Sequence, residues 1–253
     1  METSFAACQN KNQKSTRIMS PNIELWKVVT KSMQECGSVE ANLNSNFKEE
    51  LLESLTSSPS QYHLIGANNL TLVPLIEAEL IMPLDWLIKK NNILLEENQK
   101  VIFDGKIMAI AIAAETQNFM FRQDIFKTLD IPEPQSYEDV ISAAKILKKS
   151  GMTEYPLGGA YQKGWHLGHE FISIYIGFNG KFFDEQKNPK LNSQIGLKTL
   201  RLMKKLSSFM SPNFLSFGPK HVQRQLQQGQ IAMANLWSSR SFMVNDRSQS
   251  KTA

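Results

Sequence analysis

The sequence predicts an α/β protein, and three observations carry that reading. Over the first eighty or so residues, short apolar runs alternate with segments whose apolar residues recur at helical spacing. That strand–helix–strand–helix order builds a parallel sheet covered by helices. Behind the Asp104-Gly105 turn, Lys106 to Ala114 reads as a strong strand. The last third, Gly164 to Arg240, reads as helices around an Asn179-Gly180 turn, closed by an apolar strand that ends in Trp237-Ser238-Ser239.

The elements follow in order. A first strand is expected near Arg17 to Met19. Asn22 is a candidate cap for a helix in which Leu25, Val28, Val29 and Met33 share a face and Gly37 is the stop. Val39 to Leu43 alternates like a strand. A second helix carries Phe47, Leu51, Leu52 and Leu55 and ends in Ser57-Ser58-Pro59. Tyr62 to Gly66 reads as a short buried strand, and Leu70 to Leu80 as a helix. Trp26 and Trp86 lie on apolar helix faces and are assigned to packing. The strand from Lys106 is expected to run on through Glu115, Thr116 and Gln117 toward Phe121. Phe126 to Asp130 closes a helix before Pro132 and Pro134 break the chain. Ser136-Tyr137-Glu138-Asp139 opens the next helix with a capping-box pattern, ended by Gly151. Tyr155 to Ala160 is a short strand, helices follow at about 165–177, 193–209 and 219–228, and Ile231 to Trp237 is the final strand.

Composition narrows the class. Hydrophobic residues make up 42% and charged residues 21% of 253, ordinary values for a globular chain. The net charge of +4 is spread out, and no basic run interleaves with aromatics, so nucleic acid is not an expected partner. The longest apolar run, Ile107 to Ala114, is too short to span a bilayer. Two cysteines, Cys8 and Cys36, outside any CxxC pair argue against structural zinc, and a disulfide stays open. Phe5-Ala6-Ala7-Cys8 resembles the end of a lipoprotein signal, with a chance Ala-Ala-Cys as the alternative; residues 1–20 otherwise read as a polar tether.

Three pieces, in one order, resemble the sugar-binding proteins that feed bacterial ABC importers. They are Asp104-Gly105-Lys106 with its strand and Phe121-Arg122-Gln123-Asp124-Ile125-Phe126; Pro132-Glu133-Pro134-Gln135-Ser136-Tyr137-Glu138-Asp139; and Phe209 to Ser239. The family commonly has Tyr-Asn-Lys-Asp in the first piece and Pro-x-Thr-Trp-acidic-acidic in the second; this chain departs with Phe, Arg and Gln, and with Ser136-Tyr137. The resemblance implies a two-lobed periplasmic-binding-protein-like (type II) fold with a central cleft. A first lobe is then expected over 21–115 and a second over 116–253. Family chains continue past the position of Lys251 and return to the first lobe, so the second half is expected to be incomplete here. It also implies capture of a sugar or related polyol, import through ABC permease subunits, a periplasmic or cell-surface lipoprotein location, a monomer, and no cofactor.

In open α/β sheets ligands sit beyond the carboxyl ends of the strands. That rule, with the resemblance, selects Asn22, Asn68, Asn69, Glu115, Trp165, Trp237, Ser238 and Arg240. Sugar hydroxyls need donors and acceptors, which Asn, Ser and carboxylates supply, and the C–H face needs a flat apolar partner. Each residue has a plainer alternative: Asn68 and Asn69 can simply turn the chain, Trp165 and Trp237 can fill core, and Arg240 can be solvated. Glu115, leaving an apolar strand, is expected to need a partner. His166, His169 and Glu170 can share a helix face, but their spacing is not that of known zinc helices, and a surface or cleft-edge pair is the expected reading. An enzyme of transferase or lyase type on the same fold, and a sensor input domain presenting sugar to a receptor, remain the alternatives. The first needs an acid–base or nucleophile pair that these residues do not supply.

Overall fold

The computed structural model describes residues 15–252; the tether up to Lys14 and the reading of Cys8 lie outside the described residues. The chain divides into two compact units, Met1–Ala113 and Ala114–Ala253.

In the first unit, β1 (Thr16–Pro21), β2 (Val39–Asn44) and β3 (Leu64–Ile65) form a parallel sheet in the order β2-β1-β3, with Ile18 opposite both Ala41 and Leu64. Parallel neighbours require crossover connections, supplied by α1 (Glu24–Cys36) and α2 (Phe47–Thr56). Met19, Phe47, Leu51, Leu55 and Leu75 make the core; Leu75 lies on α3 (Asn69–Glu77). A short α4 (Asp85–Lys90) precedes an antiparallel hairpin of β4 (Lys100–Phe103) and β5 (Lys106–Ile110). Its two-residue turn, Asp104-Gly105, has positive φ at both positions, the geometry that matches the twist of the flanking strands.

Several expectations are corrected here. Asn22 does not cap α1: Ile23 holds the cap position without a side-chain bond, and the Asn22 amide donates to Ser45 Oγ (3.3 Å) instead. The inward face of α1 is set by Trp26, whose ring abuts Gly66 so closely that a Cβ there would lie 2.6 Å from it. At about 100° per residue, Thr30 and Met33 then share that face while Val28 points about 160° away. Thr30 is accordingly buried, Val28 is 63% exposed and Leu25 is exposed, although all the apolar positions were expected inside. Leu52 is likewise exposed, and Leu75 is the residue of α3 that fills the core. Trp86 does not pack; it is 53% exposed, with the Lys90 ammonium 5.8 Å over its ring. The strand at 62–66 shrinks to β3, with Leu64 exposed. The strand from Lys106 does not run through to Phe121. It stops at Ile110 because its partner, β4, ends opposite it at Lys100, and residues 111–116 are irregular.

In the second unit, β6 (Gln117–Phe121), β7 (Leu157–Gly158) and β8 (Met233–Trp237) form a sheet in the order β6-β8-β7. β6 runs antiparallel to β8, with Gln117 opposite Trp237, and β7 runs parallel to it. The helices are α5 (Gln123–Thr128), α6 (Tyr137–Lys149), α7 (Trp165–Gly177), α8 (Gln194–Ser207), α9 (Pro219–Gln227) and α10 (Ser241–Val244). Ser136 caps α6: its Oγ accepts from the Asp139 N–H (3.2 Å), and Asp139 accepts in return from Ser136 Oγ (2.8 Å) and Gln135 N–H (3.1 Å). Val140, Ala144 and Leu147 of α6, Ile174 of α7 and Met233 of β8 meet in the main core. The strand read at 155–160 is only β7. Gly158 lets it press against α9 and the approach to β8, since a Cβ there would sit 2.4 Å from Ile231 Cδ1 and 2.9 Å from Val222 Cγ1.

Candidate functional site

In the parallel sheet of the first unit, the carboxyl ends of the strands gather amides. Asn22 follows β1, Asn44 ends β2 with Ser45 and Asn46 after it, and Asn68-Asn69 comes after β3. The Asn44 amide donates to Glu50 Oε2 (2.6 Å), and the Asn46 N–H donates to Asn44 Oδ1 (2.6 Å). Asn68 accepts from the N–H groups of Leu70 (3.0 Å) and Thr71 (3.3 Å), so its oxygen closes the first turn of α3 in a capping box. Asn69 is the exposed first residue of that helix. Asn44, Ser45 and Glu50 escaped the sequence reading, although the carboxyl-end rule applied to β2 selects the first two.

In the second unit, Glu115, Trp165, Trp237, Ser238 and Arg240 come together. The register Gln117↔Trp237 places the start of β6 beside the end of β8. The Ser238 N–H donates to Thr116 O (2.8 Å), and the Thr116 N–H to Ser238 Oγ (3.4 Å). Glu115 is exposed, not at a strand end, and its Oε1 accepts the Ser239 N–H (3.3 Å). Trp165 opens α7 and is 50% exposed. One turn on, the His169 ring lies 5.4 Å from the Trp165 ring and 4.7 Å from that of Trp237, tilted 56° and 54°. An indole, an imidazole and an indole thus form one row at the carboxyl end of β8.

Electrostatics separate the three residues that helical spacing grouped. His169 turns to the tryptophans; its Nδ1 is buried without a partner, and burial lowers its pKa. His166 is held below its ordinary value by burial and then by the positive charges of Arg240 and His169. Glu170 points inward and is 4% exposed. No group of three His, Cys, Asp or Glu side chains among the described residues could hold a metal ion. The Arg240 guanidinium donates to Gln223 Oε1 (2.6 Å), whose residue leads through Gln227 to the Met243 carbonyl (2.7 Å). Burial lowers the basicity of Arg240 and the Glu115 carboxylate opposes that.

Beneath the aromatic row lies a buried polar network. Glu170 Oε1 accepts from Gln117 Nε2 of β6 (3.2 Å), and Oε2 from Asn235 Nδ2 of β8 (3.5 Å). Gln117 Oε1 accepts from Asn235 Nδ2 (3.1 Å) and from Ser173 Oγ (2.9 Å). Burial drives the Glu170 pKa up to about 7, against the hydrogen bonds that favour its charge. Tyr137 and Tyr161, along a cavity of about 30 Å³ beside it, are raised by burial and then by the Glu170 charge. The network was missed, though a lone amide inside the apolar run Ile231–Trp237 is a signal for it.

No helix among the described residues is long and apolar enough to cross a membrane. A curated relative, a probable amino-acid ABC transporter periplasmic-binding protein (y4oP) of Sinorhizobium fredii, is 21% identical over 138 residues, which is 53% of this chain and 32% of the relative. A solute-binding protein of Agrobacterium radiobacter in complex with ribitol superposes with a TM-score of 0.77 at 18% identity, over 94% of this chain and 64% of that one. A sugar transporter protein of Arthrobacter chlorophenolicus with bound laminaribiose superposes with a TM-score of 0.74 at 13% identity, over 94% and 64%. This chain therefore spans less than two thirds of the length of these proteins, and it shares their α/β fold, that of type II periplasmic binding proteins. Residues 50–250 match the family of bacterial extracellular solute-binding proteins, and the chain belongs to that family.

Proposed function

We propose that this chain captures a sugar or polyol outside the cytoplasm for uptake by an ABC permease. One observation carries the reading: the row Trp165–His169–Trp237, with the Glu115 carboxylate and Ser238 beside it, at the carboxyl end of β8. The indole faces suit the C–H faces of a sugar ring, and the carboxylate and hydroxyl suit its hydroxyl groups. The ribitol and laminaribiose bound by proteins of the same fold agree with this chemistry. The reading is one of binding: family and fold relatives are transport proteins, and the carboxylate and histidines at the edge serve no nucleophile. The protein acts as a monomer at the cell surface or in the periplasm, handing its ligand to the permease subunits.

The test is a titration of the full chain, by calorimetry and tryptophan emission, with linear polyols, mono- and oligosaccharides, and the common amino acids. Saturable binding of a sugar or polyol that shifts tryptophan emission is expected. Binding of an amino acid with no response to any sugar or polyol overturns the reading.

A further inference from the structure

We propose that Glu170 is the positioning residue of the aromatic row. Its carboxylate bridges β6 and β8 and so holds α7, with Trp165 and His169, against Trp237. The inference rests on the sugar-binding reading for its purpose, though not for its geometry.

The geometry is local. Gln117 stands opposite Trp237 in the strand register, and Asn235 precedes Trp237 by two, on the same face of β8. Both amides donate to the one carboxylate, which lies next in sequence to His169 on α7. Ser173, one turn further along α7, closes the network onto Gln117. Among the described residues, the side-chain hydrogen bonds from the middle of α7 to the sheet therefore run through Gln117 or Glu170, beside the strand pair that ends in Trp237.

Charge matters because both partners are donors. An ionised carboxylate accepts from both amides at once. A protonated one must turn one oxygen into a donor, and the acceptor on the same partner, Gln117 Oε1, already receives Asn235 and Ser173. The titratable groups that face Glu170 are Tyr137 from α6 and Tyr161 from the segment after β7, both held neutral by burial. On its own helix, His169 and His166 have lowered pKa values, and Arg240 stands beyond His166. Burial keeps the tyrosines neutral and moves the histidines' loss of charge to the acid side of an ordinary imidazole, whereas Glu170, with a pKa of about 7, changes charge at neutral pH.

The experiment uses the full chain without ligand and then with the best sugar of the panel above. Near-ultraviolet circular dichroism isolates the Trp237 band as the difference from Trp237→Phe. In the wild type that band is expected to change with a midpoint near pH 7, and in Glu170→Gln the change is absent. Sugar affinity is expected to fall at least tenfold in Glu170→Leu at pH 8, and to lose its dependence on pH in Glu170→Gln. If Glu170→Leu does not fold, the pH profiles of the wild type and Glu170→Gln decide alone. A band that titrates identically in both, or a folded Glu170→Leu with wild-type band and affinity, overturns the proposal. If no sugar or polyol binds the wild type, the functional reading fails, while the ligand-free band still judges Glu170.

Discussion

Glu170 should make the protein less stable as the solution becomes alkaline, and Glu170→Gln should remove that loss. The folded carboxyl, with a pKa of about 7, holds its proton more tightly than an ordinary one at 4.5. Between those values the native state binds more protons than the unfolded state, so stability falls as pH rises and levels off above the folded pKa. That gap corresponds to about 3 kcal/mol in all, of which about 1 kcal/mol is lost between pH 6.5 and 8.5. Glutamine has a similar shape and no charge. It accepts through one oxygen where the carboxylate used two, a loss of about 1 kcal/mol, which leaves a net gain of about 2 kcal/mol at pH 8.5. For a protein of this size that is roughly 4–8 °C in Tm. His166 and His169, whose lowered pKa values make stability rise with pH below 6.5, are present in both proteins and cancel in the difference. The assay is thermal unfolding of both proteins from pH 5.5 to 8.5. The difference in Tm should be small at pH 5.5, grow up to about pH 7 and level off toward 8.5. Parallel curves, or a variant that melts below the wild type at pH 8.5, would show that the buried carboxylate is not the cause.

Trp165→Ala and Trp237→Ala should each weaken sugar affinity about fivefold, the equivalent of about 1 kcal/mol per lost aromatic face. Calorimetry reads this, and a collapse of Tm with normal binding in the remaining folded protein would assign the rings to packing. Asn68→Ala should cost the first unit about 1 kcal/mol, because two N–H groups of α3 lose their acceptor; urea titration measures it. Gly158→Ala should destabilise the second unit by about 1–3 kcal/mol, since its new methyl lands on Ile231 and Val222. An unchanged denaturation midpoint would mean that α9 moves aside freely.

Much of this protein could be read from its residues in order. Ser136 with Asp139, and Ser193 before the apolar spacing of α8, announce helix starts through bonds within four residues. Asp104-Gly105 announces a hairpin turn for the same reason. The carboxyl-end rule also pointed to Trp237, Ser238 and Arg240, because they end or follow an obvious strand, whereas Glu115 reaches the same edge from an irregular segment and Trp165 from the start of a helix. What local pattern could not decide is which helix face turns inward. Leu25, Val28 and Trp86 are apolar yet exposed, because the phase of α1 is set by the contact of Trp26 with Gly66, forty residues away, and Trp86 finds no such contact. Nor could it decide where the strand after Lys106 stops, which depends on the length of its partner β4. The Glu170 network is the clearest case. It exists only because β6 pairs with β8 across about 120 residues of sequence, setting Gln117 and Asn235 side by side under α7. Capping, turn formation and hydrophobic periodicity act within a few residues and are legible in sequence. Burial, strand register and a shared carboxylate are properties of the packed chain, and only its tertiary structure decides them.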